Sequence, residues 1–154
     1  MHALLSLVFF IGAITLAIAF IATRANLLKT VSQGNRKLDP IKVWYLLIPI
    51  FSYYWSFIVA KKIAESIDSE YKTMGVLQTN LPTYSLGLLF AISNAINGIL
   101  TVIQILELDI IYDRWYITSR SIFSLILIII WITYWIQLSN HKKNIKRLND
   151  KALS

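Results

Sequence analysis

The chain has 154 residues, of which 56% are hydrophobic and only 15% charged, and it carries a net charge of +7 with no cysteine. A soluble domain usually has roughly 25% charged residues, so this composition, with a mean hydropathy of +0.60, argues against a soluble globule. The missing cysteines exclude disulfides, thiolate nucleophiles and Cys-based zinc or iron–sulfur sites.

The first apolar run, Ala3 to Ala22, is uncharged and has about the twenty residues that cross a hydrocarbon core of about 30 Å. Ala17-Ile18-Ala19 mimics a signal-peptide cleavage site. The run is nevertheless longer than a typical apolar signal core and lacks Lys or Arg before it, so a retained helix is expected. A basic connector follows, with Arg24, Lys29, Arg36, Lys37 and Lys42 against Asp39. Ser32-Gln33-Gly34-Asn35 reads as its turn. Asp39-Pro40 reads as a helix start, with Asp as N-cap and Pro at the first helical position.

The second run, Val43 to Ala60, spans only marginally. It is crowded with aromatic residues, Trp44, Tyr54 and Trp55 among them, and holds Pro49. Trp and Tyr favour the headgroup boundary, and Pro kinks a helix. Beyond it Ile63, Ile67, Tyr71 and Met74 recur at helical spacing, with Lys61/Glu65 and Asp68/Lys72 four apart, which predicts an amphipathic extension outside the hydrocarbon.

After a polar break at 78–83 comes the third run, Leu86 to Leu106, then a short acidic connector with Glu107, Asp109 and Asp113. The fourth run, Ile122 to Leu138, ends in Trp131, Tyr134 and Trp135 and is followed by a basic tail. In that tail Lys142, Lys143, Lys146 and Arg147 are expected to meet lipid headgroups. The expected fold is therefore all-α, a polytopic integral membrane bundle of four membrane-embedded segments in a single domain, 1–154. The helices are expected at about 3–22, 40–73, 84–106 and 120–147.

The stretch Asn35-Arg36-Lys37-Leu38-Asp39-Pro40, with Val43-Trp44-Tyr45-Leu46-Leu47-Ile48-Pro49-Ile50-Phe51 and Tyr54-Trp55-Ser56-Phe57-Ile58-Val59, resembles a family of small uncharacterised bacterial membrane proteins. That family has about four predicted membrane helices. Ile63-Ala64-Glu65-Ser66-Ile67 and Trp131-Ile132-Thr133-Tyr134-Trp135-Ile136-Gln137-Leu138 extend the likeness over about residues 27–143. Ser52 departs from it, where Asn is expected. The resemblance implies a multi-pass protein of the bacterial inner membrane and no activity.

Little in the chain points to chemistry. His2 and His141 lie near opposite ends without neighbouring ligand residues, and metal binding needs convergent ligands. No phosphate loop, nucleophile elbow or zinc-protease motif occurs. Asp109 and Asp113, four apart, could act as a carboxylate pair, or simply be solvated residues of a connector. No catalytic, cofactor-binding or metal-binding residues are expected, and no nucleic-acid-binding module accompanies the positive charge.

One pattern stands out. Asn94, Asn97, Thr101 and Gln104 are spaced three, four and three, so they share a face of the third helix. Amides facing lipid tails would lack partners, so this stripe should face protein or water. Gly87, Ala91 and Ala95 add small residues at close-packing spacing. The stripe reads as interhelical glue or as the lining of a polar path.

Orientation depends on the second run. If all four runs cross, Lys and Arg divide seven against eight, and the positive-inside rule cannot choose. If the second run dips in and returns, they divide thirteen against two. Pro49 and the short aromatic run favour the re-entrant version. The expected function is that of a non-enzymatic accessory or scaffold subunit in the lipid bilayer, packing against other membrane subunits or itself. The alternative is a small oligomeric channel or transporter lined by the amide stripe.

Overall fold

The computed structural model describes residues 2–76, 80–106 and 114–152, and every regular element among them is helical. Helix α1 is His2–Thr30. A 3-10 turn at Gln33–Asn35 and a 3-10 helix at Pro40–Leu47 follow, then α2 Phe51–Thr73, α3 Tyr84–Ile105 and α4 Arg114–Ala152. Three stretches are long and apolar enough to cross a membrane: Leu4–Thr30, Tyr84–Gln104 and Trp115–Lys151. At 1.5 Å per residue α4 is about 58 Å long, so it outreaches a hydrocarbon core of about 30 Å.

The expected helix 40–73 is two elements. Asp39 caps its start as read, its Oδ1 accepting from the Ile41 N–H at 3.0 Å, but the turns that follow are 3-10 and stop at Leu47. Pro49 explains the stop, because it disfavours helical geometry in the residue before it and has no N–H to donate. Ile48 is accordingly extended, and Ile50 takes φ 64°, a region that β-branched residues avoid. The result is a reversal of the chain and not a kink. Helix α2 falls outside the membrane-length set among the described residues, so three spans are supported and four membrane-embedded segments are not confirmed.

Side-chain contacts give the helix directions. Trp135 Nε1 donates to Thr23 Oγ1 at 3.0 Å and Asn149 Nδ2 to the Thr30 carbonyl at 3.3 Å, so α1 and α4 run parallel. Gly87 of α3 lies against Ala60 of α2 and Tyr134 of α4. Gly98 lies against Tyr53, and Arg120 donates to Thr101 at 2.9 Å. Helix α3 is therefore antiparallel to both α2 and α4. Because α2 runs the same way as α1, the chain between them must double back. It starts down level with Ser66, whose Oγ accepts from the Lys37 N–H, and passes Trp55, whose Nε1 donates to the Lys42 carbonyl. The second apolar run is thus a hairpin that enters and leaves the bundle at one end.

That end is tightly packed. Leu27, Leu28, Val31, Ile63, Ile67, Leu138 and Ile145 are buried there. The α1 helix continues beyond residue 22, where it was expected to end, because Ala25, Leu27 and Leu28 supply this apolar face. Arg36 covers carbonyls at the α1 C-terminus, donating to Val31 O at 3.0 Å, where a cation also suits the helix dipole. The amphipathic second half of α2 turns Ile63, Ile67 and Tyr71 inward, and the Lys61–Glu65 and Lys72–Asp68 pairs form on its outer side.

A buried arginine at the head of an apolar cavity

Arg24 was assigned to a connector by its charge, but it lies inside α1 and is only 2% exposed. Its guanidinium carbon sits 4.1 Å from the centroid of Phe20, one turn earlier on the same helix. Tyr134 of α4 lies at 5.1 Å and Phe90 of α3 at 5.4 Å. These rings also contact one another, Phe20 meeting Phe90 edge-on at 5.5 Å. Three helices thus contribute to one aromatic box around one cation.

The box compensates the charge only in part. A desolvated cation–π contact contributes about 2 kcal/mol or more, while an arginine within a membrane helix costs at least about 2.5–3.5 kcal/mol. Arg24 Nε and Nη2 make no well-formed hydrogen bond, although the Tyr134 hydroxyl lies close enough to interact with the guanidinium. Nor does Arg24 meet a carboxylate in any ion pair among the described residues.

Beside Arg24 lies a cavity of about 530 Å³, lined along α1 from Ala13 to Arg24 and closed laterally by Leu46, Phe90, Leu127 and Trp131. Ser52, Ser56 and Asn94 are its polar edges. Ser56 Oγ is committed to the Tyr53 carbonyl at 2.8 Å. Beyond Arg24 the bundle is packed shut by Leu27 and Leu28, whereas Ala13 to Ala17 are exposed. The cavity is therefore a blind pocket with the cation at its closed end.

The other expected site residues fall as follows. Asn94 and Asn97 are half-buried, with Asn94 on the cavity. Thr101 is bonded by Arg120, and Gln104 is exposed. The opposite face of α3, with Ile92, Ile96, Ile99 and Val102, points outward. Trp44 and Tyr54 are exposed on the hairpin, Trp55 stacks on Phe51 at 5.4 Å, and Pro49 forms the reversal. Lys143, Lys146 and Arg147 are exposed on α4 and Lys142 is half-buried. His141 is half-buried, its Nδ1 2.8 Å from Tyr71 Oη. Burial pushes the Tyr71 hydroxyl above its ordinary pKa, with Asn144 acting in the opposite, smaller direction. Asp109 and Asp113 lie outside the described residues.

Two buried charges escaped the sequence reading. Arg24 was signalled by Phe20 four residues before it and by the apolar Leu27 and Leu28 after it. Glu70, 1% exposed, was hidden among the charges of α2. Comparison with protein-family models, with curated proteins and with solved structures finds no match.

Proposed function

We propose that this chain is a non-enzymatic accessory or scaffold subunit of a membrane, which works by packing against a partner subunit or a second copy within the bilayer. In this reading α1, α3 and α4 cross, and the hairpin of residues 40–60 enters and leaves from the basic end. The thirteen-to-two division of Lys and Arg puts that end in the cytoplasm. The family resemblance would make the membrane a bacterial inner membrane.

One observation carries the reading. Residues Leu4 to Ile18 of α1 are exposed on every side, although the second half of the same helix is packed into the core. Among the described residues most of the surface of this half-helix lies outside the bundle, apart from the side that Ala13, Leu16 and Ala17 turn to the cavity. Gly12, which has no neighbouring atom within 4 Å of where a Cβ would stand, offers the close backbone approach that helix pairing in lipid uses.

The channel reading is weakened by Arg120. Its bond to Thr101 draws that residue of the stripe into the contact between α3 and α4, while Gln104 is exposed, which breaks a continuous polar lining.

A photoreactive amino acid at Val8 or Ile11 tests the proposal in intact cells. A discrete heavier protein adduct is expected from these positions, and none from Ile126 on the outward face of α4. Lipid adducts alone at all three positions would overturn it.

A further inference from the structure

Arg24 combines three properties. It is a full positive charge in the apolar part of the bundle, it has unsatisfied donors, and it lines the closed end of a cavity. An unmet buried donor is destabilising, and more so when charged. Simple scaffolding does not need such a residue, since a Leu or Met would fill the same space without the cost.

The geometry of the guanidinium narrows what would meet it. The guanidinium carbon lies over the Phe20 ring at 4.1 Å from the centroid and 5.1 Å from that of Tyr134. Nε–H and one Nη2–H point the same way along a single edge of the planar group, and these are the two nitrogens without a well-formed hydrogen bond. That edge is the fork that takes both oxygens of a carboxylate or phosphate in parallel. Neighbouring side chains cover the edge, so engaging an anion requires the guanidinium to turn toward the cavity it already lines. Contacts to ring faces permit such a turn.

The cavity supplies the rest of the specification. Its volume of about 530 Å³ lies within the roughly 300–1,000 Å³ of small-molecule sites. Its α1 wall, Ala13 to Arg24, is about 16 Å long at 1.5 Å per residue. Beyond Ser52, Ser56 and Asn94 the lining is apolar. A lone guanidinium balances one negative charge, whereas a phosphomonoester carries about −1.5 to −2 and would bring uncompensated charge into a low-dielectric site.

We infer that this pocket binds a long-chain carboxylic acid, with its carboxylate on Arg24 and its chain lying along α1 toward Ala13. The ligand enters from the open end, and its head replaces water with the one cation in the pocket.

The test uses the full chain in nanodiscs of neutral phosphatidylcholine, with parinaric acid, an intrinsically fluorescent long-chain acid, as the probe. Saturable energy transfer from tryptophan is expected, reduced by W131F because Trp131 lines the cavity. The methyl ester of the probe should not bind saturably. R24Q should weaken binding about tenfold or more, the effect of losing a charged hydrogen-bonding partner, and R24K should fall between, keeping charge without the fork. A17W leaves Arg24 in place and fills the tail path, so it should also abolish binding, and it carries the test if R24Q does not fold. Equal binding of acid and ester, or unchanged binding by both R24Q and A17W, would overturn the inference. Stronger displacement of the probe by lysophosphatidic acid than by oleic acid would overturn the choice of carboxylate. No saturable binding by the purified chain, with a co-purifying partner helix crosslinked at Ala17 instead, would make that partner the occupant and equally refute it.

Discussion

Glu70 offers the most quantitative test of how the basic end of the bundle is held. Its Oε2 accepts from the Ser32 N–H at 3.1 Å and from Asn35 Nδ2 at 2.7 Å, and its Oε1 accepts from Ser32 Oγ at 2.7 Å. One buried carboxylate thus fixes the turn that sends the chain from α1 back along the bundle. In Glu70→Gln the remaining carbonyl oxygen can keep both N–H donors, and the new amide can donate to Ser32 Oγ, because a hydroxyl also accepts. Only the charge assistance disappears, and charged bonds are roughly twice as strong as neutral ones, so a loss of about 1–2 kcal/mol is expected. In Glu70→Ala the Ser32 N–H loses its acceptor and the Asn35 amide keeps only Thr73 Oγ1. Ser32 is exposed and Asn35 half-buried, so each loss falls toward the lower end of about 1–3 kcal/mol and about 2–3 kcal/mol is expected together. Thermal unfolding in nanodiscs, followed by tryptophan fluorescence, would give the order wild type, Gln, Ala. Equal losses for the two variants, or none for Ala, would refute the account of Glu70 as the clamp of this turn.

A Cβ added at Gly87 would meet Tyr134 Oη at 2.8 Å and Ala60 Cβ at 2.9 Å, both on neighbouring helices, so Gly87→Ala should cost about 1–3 kcal/mol of overpacking strain. Gly98→Ala meets only the Tyr53 ring, which is 37% exposed and can swing aside, so melting curves should show it close to neutral. For the topology, Asn35 Nδ2 lies 3.0 Å from Thr73 Oγ1, so single cysteines at Gln33 and Thr73 must share a side. Both should resist an impermeant thiol reagent on intact cells while one at Asp109 reacts, and opposite labelling of Gln33 and Thr73 would refute the hairpin.

The helical class and three of the long helices were legible because apolar length and charge placement are local properties of the chain. The i, i+4 pairs of α2 were legible for the same reason. Pro49 lies at the reversal, the position from which the sequence argues for a second run that dips in and returns. A kink would follow from Pro alone, whereas the reversal also needs the extended Ile48 and the strained Ile50, and the tertiary contacts of Trp55 and Ser66 hold it. The spacing of the amide stripe was legible, yet the partner of Thr101 is Arg120, distant in sequence. Helices α1 and α4 extend beyond the apolar runs that mark them in the sequence. Helices leaving a bilayer carry Lys and Arg freely on their solvated sides, and apolar residues between them continue the core.

Arg24 and Glu70 show why net charge alone hid the interior of this protein. Both are buried ionisable groups, and a bundle assembled only for stability should treat them alike. Glu70 is surrounded by three donors within one turn, so its burial is compensated by the fold that it holds together. Arg24 is given aromatic neighbours and the Tyr134 hydroxyl but no carboxylate among the described residues, and its Nε–Nη2 edge stays without a well-formed hydrogen bond beside a cavity. A residue whose donors were arranged for structure alone would be expected to find an acceptor, as Arg36 finds one in Val31 O a short way along the chain. The asymmetry is therefore best explained by a demand outside the chain's own packing, for an acceptor that arrives with a tail long enough to occupy the space below it.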